Sequence, residues 1–297
     1  MDEVLCDIAD GVALITINRP EARNALNRTV RHRLPELITE LEGDDTVDVM
    51  ILTGADPAFS AGVDLKEIGA GATGGDDLRS GPAAGTGAAT KREATKREAT
   101  KREATKREAV DMGGRSEGGR LPWRGALPPR TKLLIGAVNG VAVTGGLELA
   151  LACDFLIASE RARFADTHAR VGVMPGWGLT VLLPQRVGVA RAREMSVTGN
   201  FVDAALAYDW GLVNHVVPHD ELLAYCRQLG ADCRTIDQLA VRRMLSTYDR
   251  NSLVTDAEAW VIEDEVSRSW EGLGFDPAEI ERRRAGILAR GRDQTKD

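Results

Sequence analysis

The chain has 297 residues, a net charge of -7 and 4% aromatic residues, long enough for one sizeable core or a core plus a small appended domain, while the acidic balance and scarcity of stacking rings argue against a nucleic-acid partner. It has no run of about 18 apolar residues that would span a membrane, and Met1-Asp2-Glu3-Val4 carries neither a basic nor an apolar leader. Cys6, Cys153, Cys226 and Cys233 are scattered without a Cys-x-x-Cys pair and the histidines are equally dispersed, so a cytoplasmic protein without a disulfide framework or metal site is expected.

Two apolar runs, residues 4–9 and 12–18, flank Asp10-Gly11, which predicts a β-hairpin. A polar loop containing Asn18-Arg19-Pro20 and Asn24-Ala25-Leu26 leads to a helical pattern over 28–42, with Leu34, Leu37, Ile38 and Leu41 on one stripe. Pro35 lies inside that pattern and predicts a kink or a late start. A strand over 47–53 then runs into Ala58-Phe59-Ser60-Ala61-Gly62-Val63-Asp64-Leu65. Small residues at such a turn leave the amide of Ala61 or Gly62 as a candidate hydrogen-bond donor, although turn geometry alone also accounts for them.

Between residues 69 and 119 the composition changes abruptly: glycine-rich flanks bracket four tandem copies of Thr-Lys-Arg-Glu-Ala starting at Thr90, Thr95, Thr100 and Thr105. Glu93 and Arg97, Glu98 and Arg102, and Glu103 and Arg107 are spaced i,i+4, which supports an isolated helix of roughly 30 Å. A five-residue period advances about 140° per repeat, so alanine and charge are spread around the circumference and no apolar stripe forms. The segment reads as a solvated helical spoke or a disordered insertion, with a basic interaction arm as the functional alternative.

The most informative stretch follows. A strand over 133–138 enters the turn at Asn139-Gly140, and Gly145-Gly146-Leu147-Glu148-Leu149-Ala150 opens a helix that is apolar except for Glu148. Burying an isolated carboxylate costs several kcal/mol unless it is paired or protonated. A helix start offers unpaired N–H groups and partial positive charge, and Glu148 stands three residues from Gly145, on the same face. A donor turn beside a carboxylate suits thioester chemistry, in which an enolate oxygen is held while a proton moves at a neighbouring carbon; the competing account is a partly exposed helix with an ordinary surface glutamate.

Beyond it come a strand over 155–158, a strand-like segment from Arg163, helices reaching Val187 and over 190–197, a helix from Asp203 to a C-capping Gly211, a strand over 212–217, and helices over 221–234, 236–248, 257–270 and 277–290. The α/β body is thus expected to end near residue 200, followed by a helical region over 201–297.

Asn18-Arg19-Pro20 with Asn24-Ala25-Leu26, the run from Ala58 to Leu65, Asn139-Gly140 through Ala150, Cys153-Asp154, Gly172 with Pro175-Gly176, and Gly211-Leu212-Val213 together resemble the enoyl-CoA hydratase/isomerase (crotonase) family over nearly the whole chain outside 69–119. The resemblance implies an α/β fold, a spiral of ββα repeats over 1–200, with C-terminal helices that assemble it as a homo-trimer or homo-hexamer. It implies an acyl-CoA substrate, with coenzyme A entering as part of that substrate and no separate cofactor. The Ala61 and Gly145 amides would form the oxyanion hole and Glu148 would be catalytic. Arg23, Ala25, Val63, Asp64 and Leu65, with Gly62 in the same run, would hold CoA, and the Gly176 amide would orient water. Where the hydratases carry a second glutamate this chain has His168, whose imidazole can exchange protons near neutrality; a packing role is the alternative. Asp166 is a weaker candidate, as a strand-like segment would point it the same way but further from the site. Trp177 would line the acyl pocket or belong to the core. Hydration of a 2-trans-enoyl-CoA is the leading expectation, with double-bond isomerisation using one carboxylate and a catalytically silent acyl-CoA binder as alternatives.

Overall fold

A computed structural model describes residues 2–64, 66–67, 125–271 and 277–294. Leu65 and the repeat-bearing insertion, the latter with its proposed helical or disordered character, lie outside the described residues. The chain divides into two compact units, Met1–Gln238 and Leu239–Asp297.

In the first unit Asp10 and Gly11 both take positive φ (48° and 68°), the geometry of a tight hairpin turn, and join β1 (Val4–Ala9) to β2 (Val12–Ile17) in antiparallel register. Helix α1 (Arg28–Gly43) starts where Asn27 Oδ1 accepts the Val30 amide. It buries Val30, Leu34, Leu37, Ile38 and Leu41, the stripe read from the sequence. The helix runs through Pro35 and does not start late.

Three successive units then each place one strand in each of two sheets. β3 (Val49–Gly54), β5 (Leu133–Val138) and β7 (Phe155–Ser159) join the six-stranded sheet; β4 (Ala58–Ser60), β6 (Val141–Val143) and β8 (Arg163–Ala165) join a four-stranded one. The order is β1-β2-β3-β5-β7-β10 in the larger sheet and β4-β6-β8-β9 in the smaller. Every residue of β3 and β5 is buried, as expected of parallel strands covered on both faces. The helices between and after them are α2 (Gly145–Leu151), α3 (His168–Val171), α4 (Leu179–Val187), α5 (Val189–Thr198) and α6 (Ala204–Asp209).

This α/β body extends past the boundary near residue 200 expected from the sequence. β9 (Val202–Asp203) pairs with β8, β10 (His215–Val217) pairs with β7, and α7 (Leu222–Arg234) lies on the large sheet. A Cβ on Gly230 of α7 would come within 3.1 Å of the Val12 side chain, so the helix packs on the sheet at a distance where a larger residue requires Val12 to shift by a few tenths of an ångström. The last strand is shorter than expected because the Leu212 and Val213 amides donate to Ala207 O, closing α6 behind Gly211 (φ 78°) instead of joining the ladder.

The second unit contains α8 (Gln238–Asn251) from its second residue on, α9 (Asp256–Glu271) and α10 (Pro277–Gln294). None of the helices among the described residues is long and apolar enough to cross a membrane.

Candidate active site

Two turns meet at the start of α2. Gly146 packs so tightly on the Ser60 carbonyl oxygen that no side chain fits. A Cβ on Gly62 would stand 3.1 Å from Gly145 N, and one on Gly145 would stand 3.4 Å from Val63 N. The turn before the helix holds Thr144 at φ 55°, ψ -118°. A β-branched residue there stores on the order of 1–3 kcal/mol of strain, offset by the 2.5 Å contact of its hydroxyl with Thr167 Oγ1 and by its amide donating to Ala165 O.

Which amides face the junction follows from where their neighbours are bonded. The Ala61 amide donates to Arg23 O at 2.9 Å, and the Gly62 amide donates to Ser60 Oγ at 3.3 Å. Leu26 N donates to Gly62 O and Asp64 N to Leu26 O, the bonds of a parallel bridge between Leu26 and Val63. That bridge turns the Val63 amide the opposite way. Neither Val63 N nor Gly145 N has an acceptor among the described residues. The expectation that Ala61 or Gly62 supplies the free donor is therefore corrected: both amides are stitched to residues 23 and 60, and Val63 is the one left over.

Glu148 is 2% exposed in a helix whose residues are all buried. It is not a lone charge. Its Oε1 accepts the amides of Trp177 (2.7 Å) and Leu179 (3.3 Å), which places the carboxylate at the N-terminus of α4, where negative charge is stabilised. Gly178 at φ 105° makes the turn that aims both amides at it. Its Oε2 lies 3.4 Å from His168 Nε2.

His168 is buried between two carboxylates. Nδ1 is 2.6 Å from Asp166 Oδ1, and the same oxygen accepts the His168 backbone amide at 3.1 Å. Burial opposes charge on the imidazole, but the hydrogen bonds and negative charges of Asp166 and Glu148 outweigh it and raise its pKa to about 9. Burial likewise works against an ionised Asp166, yet bonds from His168 and Ser196 hold its carboxyl below the ordinary value. Strand β8 ends at Ala165 and α3 begins at His168, so the extended spacing assumed for residues 166–168 does not hold: Asp166 folds back onto the imidazole. The Asp-x-His pattern was visible in the sequence; the turn that closes it was not.

Of the remaining candidates, Trp177 places its ring 3.1 Å from where a Gly145 Cβ would be and packs against the core, so it borders the junction and the core together. Gly176 is exposed beside open space. Arg23 is exposed in the left-handed region (φ 49°). Ala25 is buried with its carbonyl oxygen accepting Arg19 Nη1. Asp64 binds Arg19 at 3.1 Å and accepts the Lys66 amide, so its carboxylate organises the loop. Sequence reasoning did not single out Arg19, Thr144 or Thr167 as organisers of the site. Altogether the site offers two adjacent amides for an oxygen gaining negative charge, with a carboxylate and an imidazole within reach of the atoms beside it.

The family model described as enoyl-CoA hydratase/isomerase matches residues 7–83 and 121–270. A probable peroxisomal enoyl-CoA hydratase 1 from Arabidopsis thaliana is 32% identical over 281 residues, covering 95% of this chain and 91% of the relative. A 1,2-epoxyphenylacetyl-CoA isomerase from Escherichia coli is 30% identical, covering 87% of each chain. The crystal structure of an enoyl-CoA hydratase from Mycobacterium smegmatis superposes with a TM-score of 0.66 at 39% identity, covering 92% of this chain and all of that one.

Proposed function

Since the chain belongs to the enoyl-CoA hydratase/isomerase family, we propose that it adds water across the double bond of a 2-trans-enoyl-CoA. The thioester oxygen sits on the Val63 and Gly145 amides, which stabilise the enolate that forms as the β-carbon is attacked. Glu148 takes a proton from the attacking water and His168 serves as the second proton-exchanging group. By the family resemblance, Arg23, Ala25 and the run from Gly62 to Asp64 are assigned to CoA binding, and coenzyme A arrives with the substrate. The observation that carries this reading is the position of Glu148, buried against His168 on the helix whose first amide is the unpaired Gly145 N–H. Double-bond isomerisation is the second reading, favoured by a site with one carboxylate directly on α2.

Crotonyl-CoA and a 3-enoyl-CoA separate them. Loss of the conjugated-thioester absorbance with the first substrate means hydration, and its appearance with the second means isomerisation; neither change together with retained CoA binding leaves a silent binder. Glu148→Gln keeps an oxygen for the Trp177 and Leu179 amides but cannot take a proton, so turnover falls by about 100-fold or more while CoA affinity holds. Wild-type turnover in that variant removes Glu148 from the mechanism.

We further propose a cytoplasmic location, supported by the unpaired thiols of Cys6, Cys153 and Cys226, and assembly as a trimer or hexamer through the C-terminal helices.

A further inference from the structure

Among the buried charges at the site, the mechanism above leaves Asp166 without a task. It is 2% exposed, and it meets His168 twice, at the backbone amide and at Nδ1. An ionised carboxylate only accepts hydrogen bonds, so the Nδ1 it touches must keep its hydrogen. The ring nitrogen left to gain and lose a proton is Nε2, which faces Glu148 Oε2 across 3.4 Å. Among the described residues, the charged groups facing the ring are Asp166 from the end of β8 and Glu148 from α2. Helix α5 contributes Ser196, bonded to Asp166, and Arg170 of α3 is turned away to Thr198 O.

We propose that Asp166 is a positioning residue that locks His168 in one tautomer, so that Nε2 delivers the proton to the substrate α-carbon and recovers it directly from Glu148. This rests on the hydration reading above. The water oxygen bonds to the β-carbon as one O–H bond breaks, and that proton goes to Glu148. The electron pair of the double bond moves into the enolate held by Val63 and Gly145. The Nε2–H bond of the imidazolium breaks, its proton forms the new C–H bond at the α-carbon, and His168 is left neutral with hydrogen on Nδ1. The Glu148 proton then crosses to the free Nε2. Charge and protons return to their starting places without an outside acid. The pKa of His168, raised to about 9, keeps the imidazolium available through neutral pH.

Two measurements on the full chain test this. In ¹⁵N-labelled protein, long-range imidazole spectra identify His168 among four histidines by the signals lost in His168→Gln. Through the titration Nδ1 stays protonated and Nε2 loses its proton; the reverse overturns the proposal. Asp166→Asn removes the anion that fixes the ring, so kcat falls at least about 10-fold with KM nearly unchanged. The alkaline limb of its pH–rate profile moves down by about one pH unit or more. An unmoved limb overturns the proposal, because a residue with only a packing role would lower activity without shifting it. If Asp166→Asn fails to fold, the wild-type tautomer decides. If the wild type does not hydrate crotonyl-CoA, the hydration reading fails while the titration still reports whether Asp166 holds the ring.

Discussion

His168 connects the site to stability. Its folded pKa, near 9, lies above the roughly 6.5 of an unfolded histidine, so the folded state binds its proton more tightly. The resulting stabilisation is fully present below about pH 6.5 and is lost as pH rises through about 9. Asp166 works in the opposite sense: with its folded pKa depressed, its contribution is present above the ordinary carboxyl range and lost as pH falls below it. Denaturant unfolding of the wild type between pH 6.5 and 9 should therefore show declining stability, and His168→Gln should flatten that slope; parallel curves would mean His168 is not held as an imidazolium. At this scale the sequence revealed Glu148, the single acid in an apolar helix, and His168, the titratable group at a family position. Val63 was legible only as part of a run. Which amide of a turn remains free depends on Arg23 O and Ser60 Oγ, contacts made by tertiary structure.

Among the elements, α1 shows how a buried charge fixes a joint. Lys132 is 1% exposed just before β5, and its Nζ donates to the carbonyl oxygens of Leu41 (2.7 Å) and Asp44 (2.6 Å) at the helix C-terminus, where a cation complements the helix dipole. Glu42 accepts the amides of Thr131 and Lys132 across the same joint. Lys132→Met keeps the length of the side chain but takes the charged donor from the buried Leu41 carbonyl and the half-buried Asp44 carbonyl, each of which keeps one backbone amide, so a loss of about 1–3 kcal/mol in chemical denaturation is expected; an unchanged midpoint would contradict the role. Most elements were legible because their apolar period or turn residues are local: the Asp10-Gly11 hairpin, β5, and the stripe of α1. The partners β4, β6 and β8 are three residues each, too short for alternation to register. The alternation of strands between two sheets therefore came from family resemblance, not from the pattern of residues.

For the molecule as a whole, the single chain leaves apolar surface uncovered. Met174 and Val197 are about four-fifths exposed (80% and 79%), and α8 buries no residue although it carries Leu239 and Met244. Surface of this kind is available for association; on the trimer or hexamer proposal, light scattering should give a mass three or six times that of the 32.0 kDa chain, and a monomer across the working concentration range would contradict that proposal. The catalytic account itself rests on where the thioester oxygen sits. A crystal structure with an acyl-CoA bound tests it most directly: the account predicts that oxygen within about 2.7–3.2 Å of both Val63 N and Gly145 N, with Glu148 and His168 Nε2 facing the carbons beside it. An oxygen bound at the Ala61 amide, or an acyl chain lying away from Glu148, would contradict it.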